Sequence, residues 1–220
     1  YGINNINHFL QESNTGKAIW RGIQRYKVGD PILFNDASDK FFTRTEEQLP
    51  VIHNNMTGRI VDFLLLNEGK ATEGIQFDIE IDRPLIDMDM KDMDFTIVGT
   101  AANGNSIIRF VVNKNKATDE DDEGPSKAIV PFQIAYAVSI HKAQGLEYDS
   151  VKVVITEEVD RMITHNIFYT AITRSRKDLT IYWSPETQEK VISNFEIANA
   201  KGDATVFAAQ THLKMKKIKD

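Results

Sequence analysis

The sequence predicts an α/β protein with a β-rich insertion, and three observations carry that prediction. From residue 132 onward the text alternates strand, helix, strand, helix, strand, which implies βαβ units and a parallel sheet. Residues 28–131 read instead as short strands separated by turn residues. The first residues are helical in pattern, so the α/β part is built from both ends, 1–27 and 132–200, around the insertion at 28–131. A basic tail follows at 201–220.

Taken in order, "INNINHFLQE" (3–12) places Ile3, Ile6 and Leu10 at helical spacing and reads as a short amphipathic helix. "YKVGDPILF" (26–34) reads as a strand entered through a Gly-Asp turn, with Pro31 favouring a sheet edge. "TGRIVDFLLL" (57–66) and "IQFDIEID" (75–82) are further strands, the second with clear alternation. "FTIVG" and "SIIRFVV" flank Asn103-Gly104, a pair suited to a tight hairpin. "TDEDDEGPS" (118–126) is a solvated acidic loop. "QIAYAV" is then a strand, 139–144 a helix ended by Gly145, and "SVKVVIT" a buried strand. "THNIFYTAITRS" is a helix with Thr164 as N-cap and Ile167, Phe168, Ala171 and Ile172 facing inward, and "DLTIYWS" is the last strand.

Composition narrows the function classes. At 220 residues, 41% hydrophobic and 26% charged, the chain can bury one sizeable core or two small ones. No apolar run approaches the roughly 18–20 residues of a membrane span, and no signal-peptide pattern opens the chain, so no membrane partner is expected. Cysteine is absent, which excludes disulfides and cysteine-based zinc sites and fits a reducing, cytoplasmic location. The net charge of −6 excludes a whole-surface nucleic-acid binder, so any such contact must be local. The chain starts at Tyr1 rather than Met, as an excised fragment would. The lysines of "HLKMKKIKD" fit a frayed terminus or a binding arm.

Two segments carry candidate chemistry. In "SIHKAQGLEYDSV" (139–151) a helix begins where a strand ends, so Ser139 is placed as an N-cap. A helix N-terminus at the carboxyl end of a parallel strand is an anion site, where Ser139 and His141 can meet a phosphate. Glu147, just past Gly145, can accept hydrogen bonds from ribose hydroxyls. The plainer reading leaves Ser139 as a cap and His141 and Glu147 on the surface. In "YTAITRSRKDLTIY" (169–182), Arg174, Arg176 and Lys177 crowd the last turn of a helix, where favourable interaction with the helix end is worth roughly 0.3–1 kcal/mol each. Alternatively an arginine projects onto a phosphate, its planar fork and permanent charge suiting phosphoryl transfer. Spacing alone does not choose.

The pair of segments closely resembles motifs V and VI of superfamily 1 DNA helicases, in particular the RecD-like, exodeoxyribonuclease V alpha-like group. "INHFLQ", "YKVGDPILFND" and "NNMTGRIVDF" are similar to earlier family text; the resemblance is most specific at 138–182 and weakest at 64–131. It implies a RecA-like, P-loop NTPase-type second motor lobe with a parallel sheet and an inserted SH3-like subdomain, with Gly29, Asp30 and Gly58 at the turns of the insertion. By the same resemblance Ser139 and His141 touch the single-strand phosphate backbone. Gln144, Gly145 and Glu147 line ATP, and Arg174 is the catalytic arginine finger. DNA, as a single strand or a single/double-strand junction, is the implied partner, together with an N-terminal lobe of the same protein. Asn54-Asn55-Met56 departs from the family's Asn-Gly, although asparagine also tolerates left-handed geometry.

ATP and Mg²⁺ are implied for the whole protein, yet the chain has no G-x-x-x-x-G-K-[ST] loop. "NTGKAI" and "NEGKAT" lack the first glycine and place Ala after the lysine. The 220 residues alone are therefore expected to bind no nucleotide stably, to hold no metal and to show no ATPase activity. Two rivals remain: a non-enzymatic binding module on a helicase-like scaffold, and a nuclease using Asp87, Asp89 and Asp92.

Overall fold

A computed structural model describes residues 2–21, 24–35, 51–69, 73–86, 94–113 and 130–195. The acidic loop, Asp87, Asp89, Asp92 and the basic tail lie outside the described residues. The chain divides into two compact units, Tyr1–Val138 and Ser139–Asp220.

The first unit opens with α1 (Ile3–Glu12), followed by the hairpin β1 (Ala18–Arg21) and β2 (Gln24–Lys27). Its main sheet contains β3 (Pro31–Phe34), β4 (Thr57–Leu66), β5 (Gly74–Ile81), β6 (Thr96–Thr100), β7 (Ser106–Asn113) and β8 (Phe132–Ile134). These six strands are antiparallel throughout, in the order β6-β7-β5-β4-β3-β8. The alternation read in 75–82 is real: Ile75, Phe77, Ile79 and Ile81 are buried, while Gln76, Asp78 and Glu80 are half-exposed. Phe77 meets Tyr26, Phe110 and Phe132 at centroid distances of 5.4, 6.1 and 5.1 Å, which ties β2, β7 and β8 to β5. The Asn103-Gly104 hairpin forms as expected, with Gly104 at φ +87°. Asn55 takes φ +67°, so the turn survives without the family's glycine.

Several expectations are corrected. The Gly-Asp turn does lead into a strand, with Gly29 at φ +91° before Pro31–Phe34, but Tyr26 and Lys27 belong to the separate strand β2. Pro31 is not at an edge: it is the first residue of an interior strand, where its missing N–H interrupts no ladder. Gly58 lies within β4 rather than at a turn, and a Cβ there would come 2.7 Å from the Glu80 carbonyl oxygen. Phe132–Ile134 pairs antiparallel with β3 instead of opening a parallel series. On α1 the buried residues are Asn7 and Gln11, and Leu10 is exposed. Polar bonds explain this. Asn7 Nδ2 donates to Ala137 O (2.8 Å) and Asn7 Oδ1 accepts from Ala137 N (2.7 Å). Gln11 Nε2 donates to Asp30 Oδ2 (2.5 Å). Buried polar groups are tolerated when every one finds a partner.

The second unit contains β9 (Tyr148–Val154), a short 3₁₀ helix (Glu157–Met162), α2 (His165–Ile172), β10 (Ser175–Tyr182) and a helix over 185–195. β9 and β10 are parallel, joined by a crossover that contains α2, as the βαβ reading requires. Thr164 caps α2: its Oγ1 accepts from Ile167 N at 3.3 Å. Ala171 is buried with Val153, Ile155, Ile163 and Val191, and Ile167 and Phe168 pack against that cluster. Ser184 Oγ accepts from Thr187 N (3.1 Å), and Pro185 occupies the first turn of the last helix, where a missing N–H costs nothing.

Candidate functional site

Both motif-like segments lie in the second unit, each running into a parallel strand. Ser139–Gly145 is a single turn, not the expected helix. Its closing bonds are Ala143 N to Ser139 O (3.0 Å), Gln144 N to His141 O (3.3 Å) and Leu146 N to Ala143 O (3.0 Å). Ser139 does cap it, with Oγ accepting from Lys142 N at 3.4 Å. Gly145 takes φ +84°, the left-handed stop read from sequence. The turn leads into the amino end of β9. The expected setting, a helix after the carboxyl end of a parallel strand, is absent because the preceding strand belongs to the antiparallel sheet.

Arg174 follows α2 directly and precedes β10. Its guanidinium is half-buried and makes three hydrogen bonds: Nε donates to Thr170 O (2.9 Å), Nη1 to Leu146 O (3.0 Å) and Nη2 to Thr173 Oγ1 (3.2 Å). Tyr148 N donates to Arg174 O (2.8 Å), so the strand ladder begins at this residue. The arginine and the Gly145–Glu147 stretch therefore share one rim, at the amino ends of β9 and β10.

Arg176 and Lys177 are not in the last turn of a helix. α2 ends at Ile172, and both residues lie on β10 where the register shifts between Ser175 and Asp178. A bulge re-aims side chains. Arg176 Nε donates to Glu147 Oε2 (2.9 Å) and Lys177 Nζ to Asp149 Oδ2 (2.7 Å), both pairs exposed. Glu147 is thus engaged by Arg176, an arrangement that sequence spacing did not suggest. Among the described residues Arg174 pairs with no carboxylate, and its three partners are neutral oxygens. Of the three cations, it alone keeps an unneutralised charge among the described residues.

His141 and Gln144 also meet, in an open hollow of about 110 Å³ lined by Ile140, His141, Gln144, Asn166, Ile167 and Thr170. Sequence reasoning missed Asn166 and Thr170; their i, i+4 spacing on α2 was the available signal. Around Gly16 and Gly69 the backbone N–H groups already have partners, the second donating to Glu73 Oε2 at 3.0 Å, while Lys70 lies outside the described residues. Asn14 Oδ1 takes the Gly16 N–H at 2.8 Å, and Lys17 Nζ donates to Phe63 O (3.0 Å) over the Phe63 ring. Gly69 belongs to the β4–β5 hairpin. No cluster of metal-ligating side chains occurs among the described residues. No helix among them is long and apolar enough to cross a membrane.

Residues 134–182 match the UvrD-like helicase C-terminal domain family. The chain is 44% identical over 48 residues to the RecD subunit of the RecBCD enzyme of Mycolicibacterium smegmatis, covering 22% of this chain and 9% of that protein. It is 28% identical over 68 residues to the RecD subunit of Buchnera aphidicola subsp. Schizaphis graminum, covering 31% and 11%. An uncharacterized protein of Methanocaldococcus jannaschii is 30% identical over 89 residues, covering 40% and 7%. The matched stretch is a small part of the length of each relative. These matches support a helicase C-terminal region over residues 134–182, at low identity. That region is RecD-like.

Proposed function

We propose that this chain is the C-terminal part of an ATP-dependent DNA helicase, and that its rim forms one wall of an ATP cleft completed by a lobe outside these 220 residues. In this reading β9, β10 and their helices belong to a RecA-like second motor lobe, and the antiparallel sheet is an inserted SH3-like subdomain. The observation that supports it best is the state of Arg174. A guanidinium fixed by neutral acceptors, beside the Gly145–Glu147 stretch, retains charge for an anionic ligand.

Arg174 acts as the arginine finger, stabilising negative charge on the transferring phosphoryl group. Gln144, Gly145 and Glu147 border the nucleotide, and Ser139 and His141 hold the phosphate backbone of a single strand. Among the described residues no cluster of metal-ligating side chains occurs, and in this reading the ligands for Mg²⁺ would come from the other lobe. Because Arg174 Nη1 is bonded to Leu146 O, movement of the finger is felt by the turn that carries Ser139. That bond offers a path from hydrolysis to strand movement.

Arg174→Ala in the whole protein tests the reading. The expected result is a fall of about 10³–10⁵ in ATP turnover, with nucleotide binding largely retained. Turnover near normal would reduce Arg174 to a strut for Leu146 and leave the chain as a non-enzymatic binding module.

A further inference from the structure

We propose that the hollow between the Ser139–Gly145 turn and α2 receives one unpaired nucleobase of a bound single strand, an inference that rests on the strand contact proposed above for Ser139 and His141. Pockets that enclose a whole small molecule measure about 300–1,000 Å³. At about 110 Å³ this hollow suits a single flat ring, entering from outside with the rest of its molecule in solvent. A base carried by a strand meets that description.

The chemistry of the lining points the same way. Ile140 and Ile167 offer apolar surface to the faces of a ring. His141, Gln144 and Asn166 are exposed, and among the described residues no side chain bonds to theirs. Thr170 is different: its Oγ1 donates to Asn166 O at 2.8 Å. Each carboxamide presents a donor and an acceptor, the pairing that base edges require, and an imidazole can stack on a base. Among the described residues no lysine or arginine lines the hollow, which suits a ring better than a phosphate. Both walls are preformed. α2 is capped by Thr164 and packed through Ile167 and Ala171, and the turn is closed by its own backbone bonds around buried Ala143.

The test compares two fluorescently labelled strands of equal length, oligothymidylate and a fully abasic backbone, binding to the 220-residue chain at low salt by anisotropy. Base-bearing DNA is expected to bind roughly tenfold more tightly or better. Asn166→Ala should lower that ratio, and Asn166→Gln, which keeps the amide, should hold it. Asn166 is exposed on its helix, so neither variant threatens folding. Equal affinity for the two strands would overturn the hollow alone, leaving it to water or a protein side chain. Failure to bind either strand would overturn both this inference and the strand contact. A wild-type ratio in Asn166→Ala would remove the hollow as its source.

Discussion

Asp30→Ala should unfold the first unit far more readily than any surface substitution. The Asp30 carboxylate is fully buried and accepts four hydrogen bonds: from Gln11 Nε2 (2.5 Å), Lys27 N (2.7 Å), Asn14 Nδ2 (2.7 Å) and Tyr136 O–H (2.8 Å). Buried Lys27 completes the network, its Nζ donating to Gln11 O (3.0 Å) and to Asn14 O. Hydrogen bonds to a charged group are worth about 1.5–3 kcal/mol each, but those within one network do not add. The closer guide is removal of one partner from a buried charged arrangement, which costs about 3–5 kcal/mol because the remaining groups stay desolvated. Against a total of about 5–15 kcal/mol, that is a large loss. Urea unfolding followed by circular dichroism would register it as a lower midpoint at unchanged slope. Asp30→Asn keeps the shape but turns an N–H₂ group toward donors, so it should recover only part of the loss. A change below about 1 kcal/mol in Asp30→Ala would refute the claim that this network fastens α1 to the sheet.

Two further outcomes follow from the same geometry. Burial, and then the hydrogen bond to Asp30, push the Tyr136 phenol from 10.0 up to about 12. Its stabilising contribution is therefore complete below pH 10 and is lost as pH rises through about 12, so the stability gap between wild type and Tyr136→Phe should narrow over that window. Unfolding midpoints measured stepwise in pH would show it, and a constant gap would deny the raised value. Arg176→Ala should change stability by no more than about 1 kcal/mol, since its pair with Glu147 is exposed; a larger thermal shift would mean that the bulge depends on that pair.

What the sequence made legible was mostly local. Alternation in β5, the Asn103-Gly104 hairpin, the Thr164 cap and the Gly145 stop depend on residues within a few positions of one another, and all four appear in the structure. The face of α1 was misread because helical spacing ranks apolar residues and ignores polar ones that find partners far away. Asn7 is buried by its two bonds to Ala137, 130 positions distant. The partner of Phe132–Ile134 was misread for a related reason. A short apolar strand does not announce its neighbour, and β3 pairs with it across roughly 100 residues of chain.

The candidate site shows the same division, with a consequence for its chemistry. Arg174 and the 139–147 stretch were legible as residues, but what distinguishes Arg174 from its neighbours was not. "TRSRK" reads as a continuing helix end. In the fold, Thr170 and Thr173 hydroxyls donate to the carbonyl oxygens of Asn166 and Tyr169, Arg174 Nε takes that of Thr170, and α2 stops. One extra residue between Ser175 and Asp178 then turns Arg176 and Lys177 toward Glu147 and Asp149. The bulge divides them: two charges are spent on exposed ion pairs, and the third is held by neutral oxygens at the rim. An arginine that is positioned but not neutralised is what a developing phosphoryl charge requires. The proposed chemistry therefore turns on the neutral partners that hold Arg174 at the rim.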